Sequence, residues 1–258
     1  MKQLGLIGYP LGHSFSKKYF TQKFENQGIS DEWAYELFSI DSIQKLPEIL
    51  RGGKNKLVGL NVTIPYKTAV MPFLDAIDAD AAAVGAVNCI DIKWNENTGR
   101  PYLTGHNTDI LGFEKSLLNL LGGSVPKGLK GLILGTGGAG KAVAYVLTKQ
   151  NIPFKYVSRA GSGAVLSYDD LDKNVMNTHR LIVNSTPLGT MPNTEGVAPL
   201  PFECIDNQNF IFDLIYNPEQ TQLMKLGEER GAKVANGLEM LIEQAECGWQ
   251  IWNKRNDG

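Results

Sequence analysis

One segment limits the fold of this chain more than any other. Leu132-Ile133-Leu134 is a short apolar run that turns through Gly135-Thr136-Gly137-Gly138-Ala139-Gly140 into a helical pattern reaching Lys149. A strand that passes through Gly-x-Gly-x-x-Gly into a helix is the setting of a dinucleotide-binding turn. The first glycine makes the tight turn, the second lets the backbone approach a pyrophosphate, and the third lets helix and strand pack closely. The helix N-terminus then offers amides and a favourable dipole to the phosphates. The competing reading is an ordinary strand-to-helix turn.

The surrounding pattern agrees with the first reading. Strands are expected at Phe154 to Ser158, Leu181 to Val183, Phe210 to Phe212 and Lys233 to Ala235, with a helix from Pro218 to Arg230. Such alternation of strand and helix implies a parallel sheet covered by helices, an α/β fold. A site for NAD carries Asp or Glu at the end of the second strand for the ribose hydroxyls. Here that strand ends in Ser158-Arg159. A carboxylate there repels a 2′-phosphate and an arginine pairs with it, so NADP is expected as cofactor. A solvated arginine at a strand end is the alternative.

The first part of the chain has a different rhythm. Leu4 to Gly8 reads as a buried strand, and Ser14 or Ser16 can cap a helix that Gly28 ends. Trp33 to Ile40 is expected as a strand, followed by a helix to Leu50, and Leu57 to Ile64 as another strand with a short helical turn from Pro65. Ala79 to Val84 is helical, and Val87 to Trp94 with Arg100 to His106 form a hairpin around Asn97-Thr98-Gly99. Asp109 to Leu121 is a helix. Gly237 opens a terminal helix whose Leu238, Leu241, Ile242, Ala245, Trp249 and Trp252 form an apolar stripe. The cofactor sheet has no need of that helix, so it is expected to return to the first domain.

This first part holds a second site-like segment, Gly59-Leu60-Asn61-Val62-Thr63-Ile64-Pro65-Tyr66-Lys67. A lysine beyond a strand end can give a proton to a forming alkoxide or take one from an alcohol. Asp109, at a helix N-terminus, can orient such an ammonium and hold a substrate hydroxyl; taken singly, a surface lysine and a capping aspartate are the simpler readings. Asn61, Thr63 and Asn88 are polar positions in otherwise buried strands, either satisfied core residues or readers of substrate hydroxyls. Ser14 and Ser16 at a helix start suit a carboxylate.

Composition removes other classes. The 258 residues suffice for one large domain or two modest ones, and a net charge of −2 gives no reason to expect nucleic acid as a partner. Cys89, Cys204 and Cys247 lack CxxC spacing, and His13, His106 and His179 lack metal-ligand spacing, so neither a disulfide framework nor a metal site is expected. No apolar run suits a signal peptide or a membrane span, and a cytoplasmic protein is expected.

Taken together, these segments resemble the shikimate dehydrogenases over nearly the whole chain. The matching motifs are Gly12-His13-Ser14-Phe15-Ser16, Asn61 to Lys67, Gly85-Ala86-Val87-Asn88, and Asn107-Thr108-Asp109 with Gly112-Phe113. They continue with Gly135 to Gly140, Asn184-Ser185-Thr186-Pro187-Leu188-Gly189, Tyr216-Asn217-Pro218, and Gly237 to Leu241 with Gln244. The resemblance implies two α/β domains: a substrate-binding catalytic domain over 1–107, a Rossmann-like NADP domain over 108–236, and a C-terminal helix over 237–258 that returns to the substrate domain. It implies reversible NADPH-dependent reduction of 3-dehydroshikimate to shikimate, on the way to chorismate and the aromatic amino acids, by a monomer or homodimer. Lys67 is then the proton-transfer residue, paired with Asp109. Ser14 and Ser16 hold the substrate carboxylate, and Asn61, Thr63, Asn88, Asp109, Tyr216 and Gln244 surround the ring. Gly135, Thr136, Gly137, Gly138, Ala139, Gly140, Ser158, Arg159, Thr186, Leu214 and Gly237 line the cofactor site.

The chain departs from the family pattern at three places. Lys17 replaces the usual proline after the second serine, and Phe20-Thr21 replaces a common His-Asn. The loop Ser158-Arg159-Ala160-Gly161-Ser162-Gly163 keeps one basic residue where two are usual. A quinate/shikimate dehydrogenase using NAD or both cofactors therefore remains an alternative. So do a methylene-tetrahydrofolate-type dehydrogenase, which the polyol-reading residues disfavour, and a dinucleotide-binding regulatory module without catalysis, which the presence of Lys67 and Asp109 disfavours.

Overall fold

A computed structural model describes residues 1–12 and 14–253; His13 of the early motif and the last five residues of the 237–258 segment lie outside the described residues. The chain forms two compact α/β units, Met1–Thr108 together with the stretch from Ala245, and Asp109–Gln244.

The first unit contains β1 (Lys2–Gly8), α1 (Phe15–Gln27), β2 (Trp33–Ser39), α2 (Leu46–Gly52), β3 (Leu57–Val62), β4 (Ala76–Ile77), α3 (Ala79–Val84), β5 (Cys89–Trp94) and β6 (Pro101–His106). Its sheet runs β2-β1-β3-β5-β6-β4. β1 is parallel to β2 and β3, whereas β3–β5 and β5–β6 are antiparallel. All six residues of β3 are buried, as expected of a central strand covered on both faces. The β5–β6 hairpin forms where expected. The Asn95 carboxamide accepts from the amides of Asn97 and Thr98, and Gly99 takes φ 63°.

Helix α1 starts at Ser14, whose hydroxyl accepts from the Lys17 amide, and stops at Gly28 in the left-handed region. Its Phe20 and Phe24 join Trp33, Tyr35, Trp249 and Trp252 in one buried cluster. Trp249 and Trp252 come from α8 (Leu238–Asn253), whose second half belongs to this unit. The Trp252 indole donates to the Ile90 carbonyl at 3.0 Å and lies against Gly59, where a Cβ would fall inside the ring. The terminal helix therefore returns to the first unit, and the α/β architecture read from the sequence is the one observed.

The second unit contains most of α4 (Thr108–Leu120), then β7 (Gly131–Leu134), α5 (Gly138–Lys149), β8 (Phe154–Ser158), β9 (Leu166–Ser167), α6 (Lys173–Thr178), β10 (Leu181–Asn184), β11 (Phe210–Asp213), α7 (Gln222–Glu228), β12 (Lys233–Ala235) and the first half of α8. All its strand pairs are parallel, in the order β12-β11-β10-β7-β8-β9. Counted within the sheet this is the 3-2-1-4-5-6 order of a doubly wound dinucleotide fold, read from β9. Its switch point lies between β7 and β10. Helix α4 packs on the first half of α8, where Lys115 meets Glu243 at 2.7 Å and a Cβ on Gly112 would stand 2.5 Å from the Met240 carbonyl.

Three local expectations need correction. The helix expected from Pro218 starts only at Gln222, because Thr221 caps it: its hydroxyl accepts from the Met224 amide and donates to Asp213 at 2.7 Å, which fixes the start there. Residues after Pro65 form turns, and the first helical element beyond them is a single 3-10 turn at Met71–Phe73. The helix expected before Leu50 divides into a 3-10 turn at Ile43–Lys45 and α2.

Candidate functional site

In the second unit the expected cofactor residues gather at the carboxyl edge of the parallel sheet. β7 runs into Gly135, whose φ of +102° only glycine adopts readily, and a Cβ there would stand 2.9 Å from the Ser185 hydroxyl. Gly137 caps α5 with no side-chain bond, so the first-turn amides receive no cap from a side chain. Space around Gly137 and Gly138 is open, whereas a Cβ on Gly140 would stand 2.5 Å from the Gly135 carbonyl. Thr136, Gly137, Gly138 and Ala139 are exposed and Gly140 is buried. Open amides at a helix start beside a switch point are what a pyrophosphate requires, so the residues present fit a dinucleotide.

A buried polar network shapes the rest of this edge. The Asn184 carboxamide donates to Asp213 at 3.0 Å and accepts from the amide and hydroxyl of Thr186 at 3.0 and 2.7 Å. Asp213 also accepts from Thr221 and from the Ile215 amide. Burial pushes the Asp213 carboxyl above its ordinary range, and these three donors oppose the shift. The network fixes the loops after β10 and β11, which carry Thr186 and Leu214. A Cβ on Gly237 would overlap the Leu214 carbonyl, so these two expected residues are in close contact. Ser158 ends β8, beside β7, and accepts from the Gly161 amide; Arg159 follows, exposed. Tyr216 is exposed in the loop after β11. Gln244 is buried on α8, with its carboxamide donating to the Leu241 carbonyl.

In the first unit the expected substrate residues gather where β1 and β3 end and β5 begins. Asn61 and Asn88 are both buried. The Tyr35 phenol donates to the Asn61 carboxamide oxygen at 2.7 Å, and the Asn61 amide group donates to the Asn88 carbonyl at 3.4 Å. The Asn88 side chain accepts from the Thr108 amide at 2.7 Å and donates to its hydroxyl at 3.1 Å. Thr63 and Lys67 are half-buried in the turns after β3. The Thr63 amide donates to the Ile7 carbonyl, the Tyr66 phenol donates to the Ile40 carbonyl at 2.6 Å, and the Val87 amide donates to the Lys67 carbonyl at 2.7 Å. These three ties fix the backbone from which the lysine side chain extends. Ser14 caps α1 and Ser16 lies in its first turn, while Asp109 follows Thr108 in the first turn of α4. Among the described residues no group of three or more His, Cys, Asp or Glu is placed to hold a metal ion.

Sequence reasoning missed Tyr35, Asp213 and the supporting role of Thr108. Asp213 carried a signal, as an acid closing the apolar run Phe210-Ile211-Phe212. Tyr35 carried none, since an aromatic residue in a buried strand is ordinary.

The doubly wound sheet, its glycine turn and a separate α/β unit with a buried polar array define a dinucleotide-linked oxidoreductase of two domains. Residues 6–90 match the family described as shikimate dehydrogenase substrate binding domain. A shikimate dehydrogenase (NADP(+)) of Methanococcus maripaludis is 35% identical over 266 residues, covering 97% of this chain and 91% of that protein. A crystal structure of a shikimate dehydrogenase in complex with NADP+ matches with a TM-score of 0.84 at 32% identity, over 98% of this chain and 90% of the other. A quinate dehydrogenase from Corynebacterium glutamicum in complex with NAD matches with a TM-score of 0.83 at 28% identity, over 98% and 94%. The chain belongs to the shikimate dehydrogenase family.

Proposed function

We propose that this protein catalyses the reversible NADPH-dependent reduction of 3-dehydroshikimate to shikimate, in the pathway to chorismate and the aromatic amino acids. The observation that carries the reading is the buried polar array around Asn61 and Asn88, within the stretch that matches the family's substrate-binding domain. The unit 1–107 is assigned to the substrate, the segment 108–236 to the dinucleotide, and the helix from residue 237 to support of the substrate domain.

In this reading Ser14 and Ser16 hold the substrate carboxylate. Asn61, Thr63, Asn88, Tyr216 and Gln244 hold the ring and its hydroxyls, and Asp109 orients the hydroxyl that forms at C3. Bound NADPH supplies the hydride. Lys67 gives its ammonium proton to the C3 oxygen as that oxygen gains charge, and is reprotonated from solvent; in the oxidative direction the neutral amine takes the hydroxyl proton. The amides from Gly135 to Gly140 would hold the pyrophosphate, Thr186, Leu214 and Gly237 would line the cofactor site, and Ser158 and Arg159 would hold the adenosine phosphate.

A second reading is quinate or shikimate oxidation with NAD, favoured by the likeness to an NAD-bound quinate dehydrogenase and by the single basic residue of the 158–163 loop. Arg159, where an NAD site carries an acid, favours the first. The protein acts as a monomer or homodimer. No helix among the described residues is long and apolar enough to cross a membrane; a cytoplasmic location is part of the proposed reading.

The test is Lys67→Ala. Proton transfer by a placed side chain contributes about 10²–10⁴-fold, so kcat for shikimate oxidation is expected to fall by that factor with shikimate affinity little changed. Near-normal turnover by this variant removes Lys67 from the chemistry.

A further inference from the structure

Tyr35 belongs to none of the motifs that define the site, yet it lies between two of their residues. Its side chain is almost wholly buried, and its ring is stacked on Phe20 of α1, with centroids 4.8 Å apart and planes 8° from parallel. Ser16 precedes Phe20 by one helical turn on α1, so it shares the face that covers the tyrosine. Its hydroxyl interacts with the phenol and opposes the rise that burial imposes on the Tyr35 pKa. On the other side the phenol donates to Asn61 at 2.7 Å, and Asn61 continues through the Asn88 carbonyl to Thr108.

The direction of these bonds has a chemical consequence. A phenol has one proton, and here it goes to the Asn61 carboxamide oxygen. That contact orients the amide. Its oxygen faces the protein interior, and only its N–H groups remain for the Asn88 carbonyl and for a ligand oxygen. Without the phenol only the 3.4 Å bond to the Asn88 carbonyl holds that orientation, and the carboxamide can turn over and present its oxygen instead.

We infer that Tyr35 is a positioning residue that orients the Asn61 carboxamide, so that its N–H groups face the ring hydroxyls of the substrate. The inference rests on the assignment of Asn61 to the substrate. Tyr35 itself touches neither substrate nor cofactor in this account. A displacement of about 1 Å in a reacting group costs on the order of 10²-fold in rate, so loss of the phenolic hydroxyl reads out in shikimate turnover.

The experiment compares Tyr35→Phe, Asn61→Ala and the double variant in the full-length enzyme. It measures kcat and KM for shikimate at saturating NADP+, KM for NADP+, the shikimate Kd by calorimetry, and the melting temperature. Tyr35→Phe is expected to lower kcat/KM for shikimate by roughly 10–100-fold, to leave the KM for NADP+ within about twofold, and to add less than about threefold in the Asn61→Ala background. A purely packing role leaves kcat/KM of the folded enzyme unchanged. A Tyr35→Phe enzyme within about threefold of wild type overturns the inference, and so does a full multiplication of its loss with that of Asn61→Ala. Should Tyr35→Phe not fold, Asn61→Asp, which keeps an acceptor for the phenol and loses the N–H groups, tests the orientation without touching the tyrosine. A rise of about tenfold or more in the shikimate Kd of Asn61→Asp supports it, and a Kd within about threefold of wild type overturns it. Wild-type protein that binds shikimate without oxidising it removes the proposed activity and leaves the coupling to be read from the Kd values. Wild-type protein that does not bind shikimate removes both.

Discussion

The glycine turn permits a sharp separation of folding from cofactor binding. Gly137 has φ −75° and ψ −171°, which any residue adopts, and a Cβ placed there meets no atom within 4 Å. Gly137→Ala therefore introduces no clash. It weakens the helix cap by about 1 kcal/mol, while the stiffer unfolded chain returns about 0.4–1 kcal/mol. The net effect on melting is within roughly 4 °C for a chain of this size. On the proposed assignment the same methyl occupies the space through which the pyrophosphate approaches the amides of α5. Displacing the phosphate weakens one or two charge-assisted hydrogen bonds worth about 1.5–3 kcal/mol each, so the NADP+ Kd is expected to rise at least about tenfold. Gly140→Ala is the contrasting control. Its Cβ would stand 2.5 Å from the Gly135 carbonyl, 0.9 Å inside ordinary contact at 3.4 Å. Overpacking of this kind costs about 1–3 kcal/mol and lowers the melting temperature without any ligand present. Calorimetric titration with NADP+ and thermal melts of the free proteins read both quantities. A Gly137→Ala protein with unchanged NADP+ affinity refutes the pyrophosphate assignment, and one destabilised as much as Gly140→Ala refutes the steric argument.

Other perturbations read other parts of the account. On the proposed assignment Arg159→Ala removes a charge-assisted pair with the 2′-phosphate, worth about 1.5–3 kcal/mol, so the KM for NADP+ is expected to rise tenfold or more and that for NAD+ to stay within about twofold; equal effects on both contradict the assignment. Trp252 is 1% exposed, and Trp252→Ala is expected to cost about 3–5 kcal/mol, read as a lower denaturation midpoint; a loss below about 1 kcal/mol contradicts the anchoring of the terminal helix. Burial holds the His179 pKa below 6.5. The unfolded chain thus takes up a proton first as pH falls through 6.5, and stability declines from there downward. The melting temperature of wild type is expected to fall more steeply on acidification below that pH than that of His179→Gln, and parallel curves contradict this.

Much of the site is visible in the sequence because its local constraints are strong. A backbone that must reverse at Gly135 and admit α5 at Gly140 has few residue choices, so the turn is legible without any partner. The hairpin around Gly99 and the stop of α1 at Gly28 are legible for the same reason, whereas the start of α1 is narrowed only to Ser14 or Ser16. Helix α7 begins later than Pro218 suggests because its start depends on Asp213, eight residues back and buried, and no local pattern records that bond. The strands β4 and β9 are two residues each and make no periodicity. Tyr35 is the clearest omission. Its role comes from a hydrogen bond to a residue 26 positions away, and its own neighbourhood reads only as a buried strand.

The central claim is the identity of the substrate and cofactor, and crossed turnover tests it most directly. Purified protein is assayed with shikimate and quinate, each with NADP+ and NAD+, following reduction of the nicotinamide. Strong turnover is expected with shikimate and NADP+, and a kcat/KM at least about tenfold lower when quinate replaces shikimate or NAD+ replaces NADP+. Preference for quinate with NAD+ contradicts the claim and moves the protein to the second reading, and a protein that binds NADP+ yet turns over neither substrate contradicts catalysis itself.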